Sequence, residues 1–480
     1  MMAEPTLGGT LAEFAAGTGY EALPPDVVDS VRQRVLDVLG LCVAAHRLPT
    51  SEAIVGYVRD QGGAPQAHVV GGGPARVPAA LAALANGVLA HSLDYDDTHL
   101  PSVLHPSASV VPAALAAAEL AGADGTETVR AIAVGLEVCV RIGMAGYDAE
   151  AGNSLFFEHG QHATSICGAL GGSVAAGLLL GLDAAGLLDC LGVAASMASG
   201  VIESNRTGGT VKRLHCGWAA HSAVTAADLV RRGFTGPPTV LEGRFGFFQA
   251  FLHGRSFPEE ITRGLGTEWT VPGIFFKPYP ANHFTHTAVD AARALREQGL
   301  DPERVERLVL GVPAPVIRTI GQPIEVKRAP ETGYQAQFSG PYAVATGLLG
   351  GSGLGAGLAD YTDELARDPR RRALMAKVDV VPDDRATEIF PAQFPAVLTA
   401  VDTDGRRWRQ EVLTNRGGPD RPLTEEELGR KFRDNTAGRL PETVAAKVAE
   451  QVRGLTGLAH MSELLRPLAE FETGTGDGRE

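Results

Sequence analysis

From its start to about residue 265 the chain repeats one pattern: apolar residues recur every three or four positions, interrupted by short polar breaks. That spacing lines one face of a 3.6-residue helix, so a packed set of helices is the fold open to it. The stretch "PPDVVDSVRQRVLDVLGLCVAAH" (24–46) opens with prolines, which suit a first helical turn. Residues 77–94, 108–122, 126–143, 164–181, 183–200 and 216–233 continue the pattern. Their many Ala and Gly residues let helix axes approach closely. A short strand is expected at "AHVVGG" (67–72).

The character changes at "EWTVPGIFFKPYPANHFTH" (268–286), where aromatics and prolines cluster. Beyond it, 286–299, 339–351 and 361–378 read as helices, while "RVERLVLGVP" (304–313) alternates like a strand. In "AVLTAVDTDGRRWRQEVL" (396–413), Asp404-Gly405 between two β-like runs signals a hairpin. Residues 424–435 turn helical again. The expected fold is therefore mainly α. A helical domain takes in residues 1–273, a smaller α+β domain 274–412, and a helical tail, 413–480, rejoins the first domain. The last nine residues, "ETGTGDGRE", are expected to fray. No internal repeat is visible.

Of 480 residues 44% are hydrophobic and 20% charged, a globular composition. The net charge of −14 argues against nucleic acid or an anionic membrane as partner, though a local basic pocket can still take a small anion. "MMAEPTLGGT" has no basic region followed by an apolar run, and "GALGGSVAAGLLLGL" (168–182) is too short to span a bilayer, so a cytoplasmic protein is expected. The five cysteines form no C-x-x-C and sit in apolar segments, which reads as buried thiols. Only six of the 42 basic residues are lysines, which draws attention to Lys212 and Lys277 as compact ammonium groups.

Four polar clusters break the apolar background, each before an expected helix. They are "HSLDYDDTHLPSVLHPS" (91–107), "EHGQHATS" (158–165), "RTGGTVKRLHCG" (206–217) and "KPYPANHFTH" (277–286). Helix N-termini carry free N–H groups and partial positive charge, so several converging on one point make an anion site. Lys212, Arg213 and Lys277 would reinforce it, and His105, His162 and His215 have the side chain for proton transfer near neutrality. Asp96 and Asp97 read as structural, accepting backbone N–H bonds in a turn, and Thr98 as a cap or ligand. His221 and His286 read as packing residues.

A metal site built on His91, Asp94 and His99 is chemically competent. Against it, the histidines are not paired i, i+4, no H-E-x-x-H occurs, and nearby lysines oppose a cation. "VVGGGPARV" (69–77) and "TGGT" (207–210) match neither G-x-G-x-x-G nor a phosphate-binding G-x-x-x-x-G-K-[ST], so no nucleotide cofactor is expected. A G-x-S-x-G elbow is also missing.

Taken in order, "HSLDYDDTHLPSVLHPS", "GQHATS", "GGTVKRLHCGWAA" and "FKPYPANHFTH" resemble the MmgE/PrpD family over about residues 8–470. That family includes dehydratases, decarboxylases and epimerases of small carboxylic acids. The resemblance implies a large helical domain with an inserted α+β lid, a homodimer, and a site beneath the lid that uses no cofactor and no metal. Carried over by motif, the decarboxylase site corresponds to Asp94, Thr98, His105, His162, Lys212 and Lys277. The family's lid tyrosine has no counterpart in "QPIEVKRAP" (322–330); Tyr334 is near but out of register. The dehydratase branch follows H-P-S with Asp-Asn and favours Asn at position 96, where this chain has Ala108-Ser109 and Asp96.

The implied chemistry forms carbanion-like character beside a carboxylate, which calls for cations, a proton donor or acceptor, and charge stabilisation. Lys212 and Lys277, with Arg213 and His215, would bind substrate carboxylates. His162 and His105 would move protons, Asp94 would orient an imidazole, and Thr98 would hydrogen-bond substrate. The expected activity is a cofactor-independent hydro-lyase of a di- or tricarboxylate. The alternatives are a decarboxylase, an epimerase and a non-catalytic carboxylate-binding dimer.

Overall fold

The computed structural model describes residues 5–204 and 208–471; Arg206 and Thr207 of the third polar cluster, and the tail expected to fray, lie outside them. The chain forms two compact units, one from the chain up to Ile274 together with the part from Asn435 onward, the other Phe275–Asp434.

The apolar periods of the first unit become helices Pro25–Ala45, Ala79–His91, Ser107–Ala121, Gly125–Ala145, Ala163–Leu179, Ala184–Met197 and Val211–Arg231. Aspartates start two of them: Asp124 accepts from Glu127 N–H and Asp183 from Gly186 N–H. Small residues set the packing distance. A Cβ on Gly217 would lie 2.3 Å from the Leu84 carbonyl oxygen, and one on Gly87 would lie 2.7 Å from Gly217 Cα. Helices Ala79–His91 and Val211–Arg231 therefore cross almost backbone to backbone, which draws their polar ends together. The tail docks by main-chain bonds: Gly71 N–H donates to Leu468 O and Gly125 N–H to Leu458 O, each at 2.9 Å.

Several local expectations need correction. The helix Val211–Arg231 begins early enough that Lys212, Arg213 and His215 are on it and not ahead of it. The strand expected at 67–72 shrinks to a single bridge between Ala67 and Val77. The first unit is also not wholly helical, since Tyr147–Asp148 pairs antiparallel with Asn153–Ser154. Among the described residues no single helix is long and apolar enough to cross a membrane.

The second unit holds a four-stranded sheet ordered Val378–Pro382, Val305–Val312, Ala396–Asp402, Arg407–Val412. The first pair is parallel and the others antiparallel. The Asp404-Gly405 turn closes the hairpin with Gly405 at φ 76°, and Asp402 Oδ1 accepts from both Asp404 N–H and Arg406 N–H at 3.0 Å. Leu308, Leu310 and Leu398 share a core with Val289 and Leu295 of helix His286–Glu297 and with Tyr342 of helix Gly340–Leu349. The helix expected over 361–378 divides into Asp363–Ala366 and Pro369–Met375, broken ahead of Pro369 where Asp368 caps the second piece, and it ends early because Val378 begins a strand. Residues 413–434 group with this unit and not with the tail, since Leu423 and Leu428 belong to its core.

Gly217→Ala is expected to destabilise the protein by about 1–3 kcal/mol through overpacking. Gly457→Ala, whose Cβ would meet no atom within 4 Å, is the control expected to stay near wild type in urea denaturation.

Candidate active site

The first unit builds a buried polar site around the loop that joins helix Ala79–His91 to helix Ser107–Ala121. Arg34, 1% exposed, reaches this loop from helix Pro25–Ala45 and pairs with Asp97 at 2.7 Å. It also donates to the carbonyls of Val271 (3.2 Å) and Ile274 (2.7 Å). Asp97 Oδ1 accepts from Ser107 N–H at 3.2 Å and Oδ2 from the Ser107 hydroxyl at 2.5 Å. Burial pushes the Asp97 carboxyl up, and Arg34 and Ser107 oppose that shift. The loop carries two non-glycine residues in the left-handed region, Asp94 (φ 52°) and the β-branched Val103 (φ 55°). Such backbone persists only where surrounding contacts hold it.

This anchor sets the state of His105. The Asp97 carbonyl lies 2.6 Å from His105 Nδ1. A carbonyl can only accept, so Nδ1 carries the proton, and in the neutral ring Nε2 holds the lone pair. Thr98 Oγ1 is 3.3 Å from the same nitrogen, and His105 N–H donates to Thr164 Oγ1 at 3.2 Å.

His162 is the N-cap of helix Ala163–Leu179, with its N–H donating to Gly200 O at 3.0 Å. Gly200, at φ 149°, is pressed against it: a Cβ there would lie 3.1 Å from His162 Cβ. His162 Nδ1 meets His215 Nδ1 at 3.0 Å. One nitrogen must donate and the other accept, so the pair shares a single proton at this bond. Burial, then His91, then Lys212 push the His215 imidazole down to about 4. His162 is driven well below its usual range by burial first, then by His91, Lys212, His215 and His105. Both rings are thereby held neutral at neutral pH.

The structure brings Asp94, Thr98, His105, His162, Lys212 and His215 together in this unit. Asp94 Oδ1 lies 3.3 Å from Lys212 Nζ, and the Asp96 carboxylate lies 2.6 Å from His91 Nδ1. Asp96 is thus more than a turn residue. Arg213 donates to Thr50 Oγ1 at 3.1 Å, on helix Pro49–Asp60. Lys277 belongs to the second unit, where it is buried on the segment before the turn His283–Thr285. The three residues of a metal reading go separate ways: His91 to Asp96, Asp94 to Lys212, and His99 Nδ1 to Ser102 Oγ at 2.7 Å. Among the described residues no group of three or more His, Cys, Asp or Glu is arranged to hold a metal ion. All five cysteines are buried thiols.

Sequence reading weighed His91 only as a metal ligand and Asp96 only as a turn residue, and passed over Arg34. The first two had a usable signal, a histidine closing a helix with an aspartate five positions on. Arg34 had none, since it is 63 residues from its partner.

Imidazoles held neutral beside a lysine, with a carboxylate behind one ring, define an acid–base site suited to anionic substrates. The MmgE/PrpD N-terminal domain model matches residues 9–260 and the C-terminal domain model residues 279–456, and the chain belongs to the MmgE/PrpD family. It is 28% identical over 476 residues to cis-aconitate decarboxylase of Mus musculus, covering 96% of this chain and 92% of the relative. Cis-aconitate decarboxylase of Aspergillus terreus is 27% identical, covering 95% of each chain. 2-Methylcitrate dehydratase of Escherichia coli is 28% identical over 254 residues, covering 50% of each. The chain is an enzyme of this family.

An unfolded histidine titrates near 6.5. Between about 6.5 and the value of about 4 for His215, the unfolded chain binds a proton that the folded chain refuses. This contribution to stability is present above the window and is lost as pH falls through it. Urea midpoints are expected to drop from pH 7 to pH 4, and His215→Gln to show a shallower slope.

Proposed function

We propose that the protein is a cofactor-independent lyase of a small di- or tricarboxylate. The observation that carries this is the cluster of His105, His162 and His215 beside Lys212, with His162 and His215 held neutral. Neutral imidazoles can take a proton from carbon next to a carboxylate, or return one to a carbanion. Lys212 is assigned to one substrate carboxylate, exchanging it for part of its contact with Asp94. Thr98 is assigned to a substrate hydrogen bond. The helices that start at Ala163 and Val211 have no side-chain cap from His162 or Thr210, which suits an anion near those ends.

Two chemistries use this set. In dehydration, a base removes the proton beside a carboxylate, and the hydroxyl on the next carbon leaves as water after protonation by an acid. In decarboxylation, a C–C bond breaks, CO2 leaves, and the electron pair left behind passes into the adjoining unsaturated acid and is quenched by a proton that an imidazole takes up from solvent and delivers as imidazolium, returning to neutral. Decarboxylation of an aconitate-like acid is favoured by the match of the decarboxylases along nearly the whole chain, against half for the dehydratase. Dehydration is favoured by the lack of a tyrosine in 322–330. A homodimer is the proposed assembly, supported by an apolar stripe of Val211 (46% exposed), Leu214 (40%) and Trp218 (40%) on one helix.

Proton NMR of EDTA-treated enzyme with cis-aconitate and with 2-methylcitrate in D2O tests the reading. The expected result is turnover that survives EDTA. Loss of one carboxylate from cis-aconitate marks decarboxylation, and a new vinylic product from 2-methylcitrate marks dehydration. His162→Ala is expected to lower kcat by about 10²–10⁴-fold while folding normally. A folded His162→Ala enzyme with full turnover contradicts the proposal.

A further inference from the structure

His91 is 3% exposed and ends helix Ala79–His91. Its Nδ1 is committed to Asp96, itself fully buried, at 2.6 Å. Carboxylates only accept when ionised, so Asp96 fixes the proton on Nδ1 and fixes the ring's orientation. The other nitrogen, Nε2, is buried and has no hydrogen-bond partner among the described residues. Leaving a polar atom so placed is costly unless a partner arrives during function. The position of the ring indicates which partner. Its centroid is 5.4 Å from that of His105 and 5.6 Å from that of His162, so it touches both rings assigned to proton transfer.

The geometry points to His91 as a fourth imidazole of the site, whose Nε2 hydrogen-bonds the bound carboxylic acid while Asp96 holds the ring from behind. This rests on the carboxylate-lyase reading and adds to it a substrate contact absent from the residues assigned there. His91 takes no part in bond breaking; it orients the acid between His105 and His162. The arrangement also explains why the loop tolerates a left-handed Asp94. That turn directs the Asp94 carboxylate to Lys212 and leaves Asp96 to face His91.

The test uses the full-length enzyme and tricarballylate, a saturated tricarboxylate that can be neither dehydrated at a hydroxyl nor decarboxylated through a double bond. Calorimetric affinity is measured for wild type, His91→Phe, His91→Gln and His91→Asn, with melting temperatures alongside. A glutamine amide reaches the position of Nε2, whereas an asparagine amide mimics Nδ1 and keeps the bond to Asp96. Phe and Asn are expected to weaken binding by about tenfold or more, and Gln to recover much of the loss. If His91 serves folding alone, Asn is the better replacement in melting temperature and affinity does not follow Nε2; that result overturns the assignment. If wild type binds tricarballylate and His91→Phe binds equally well, only the His91 assignment falls. If wild type neither binds tricarballylate nor turns over cis-aconitate or 2-methylcitrate, the lyase reading fails and takes this assignment with it.

Discussion

The buried pair between Arg34 and Asp97 is the contact on which the site depends. Arg34 has one nitrogen on Asp97 and another on the carbonyls of Val271 and Ile274, so a helix near the start of the chain, the polar loop and the end of the first unit meet at one guanidinium. Removing one partner of such a pair leaves an uncompensated buried charge, worth about 3–5 kcal/mol. The pair also does chemical work through the main chain. With the Asp97 side chain fixed by Arg34 and Ser107, its carbonyl is aimed at His105 Nδ1 and selects the tautomer of that ring.

From this anchor the other groups follow by packing. The close crossing at Gly87 and Gly217 aligns the end of one helix, carrying His91, with the start of another, carrying Lys212 and His215. Gly200 pins His162 against the same place. Four rings and an ammonium gathered out of water cannot all be charged. Burial and mutual repulsion resolve the conflict by keeping His162 and His215 neutral. An anionic substrate would find a lysine for its charge and imidazoles ready to exchange protons.

Much of the helical unit was legible because its periods are long and its breaks are polar: helix Gly125–Ala145 was expected over 126–143, and Pro25–Ala45 over 24–46. The hairpin at Asp404-Gly405 was legible for the same local reason, a turn that needs φ above zero. Where the reading failed, tertiary contact outweighed local pattern. Val378 looks like the end of a helix in sequence but is recruited by parallel pairing with Leu308, 70 positions earlier in the chain. The site was legible as residue types and not as partnerships. The motif that holds Asp94, Asp96 and Asp97 gives no hint which of them meets Lys212, His91 or Arg34, because backbone turns at Asp94 and Val103 decide that.

The loop and its anchor fix where each ring carries its proton. Long-range 15N–1H correlation of histidine-labelled enzyme at pH 7, assigned by single His→Gln variants, reads this directly. The expected result is His105 protonated at Nδ1 and unprotonated at Nε2, with one protonated and one unprotonated Nδ1 across His162 and His215. Imidazolium signatures on both His162 and His215, or a His105 proton on Nε2 alone, would contradict it.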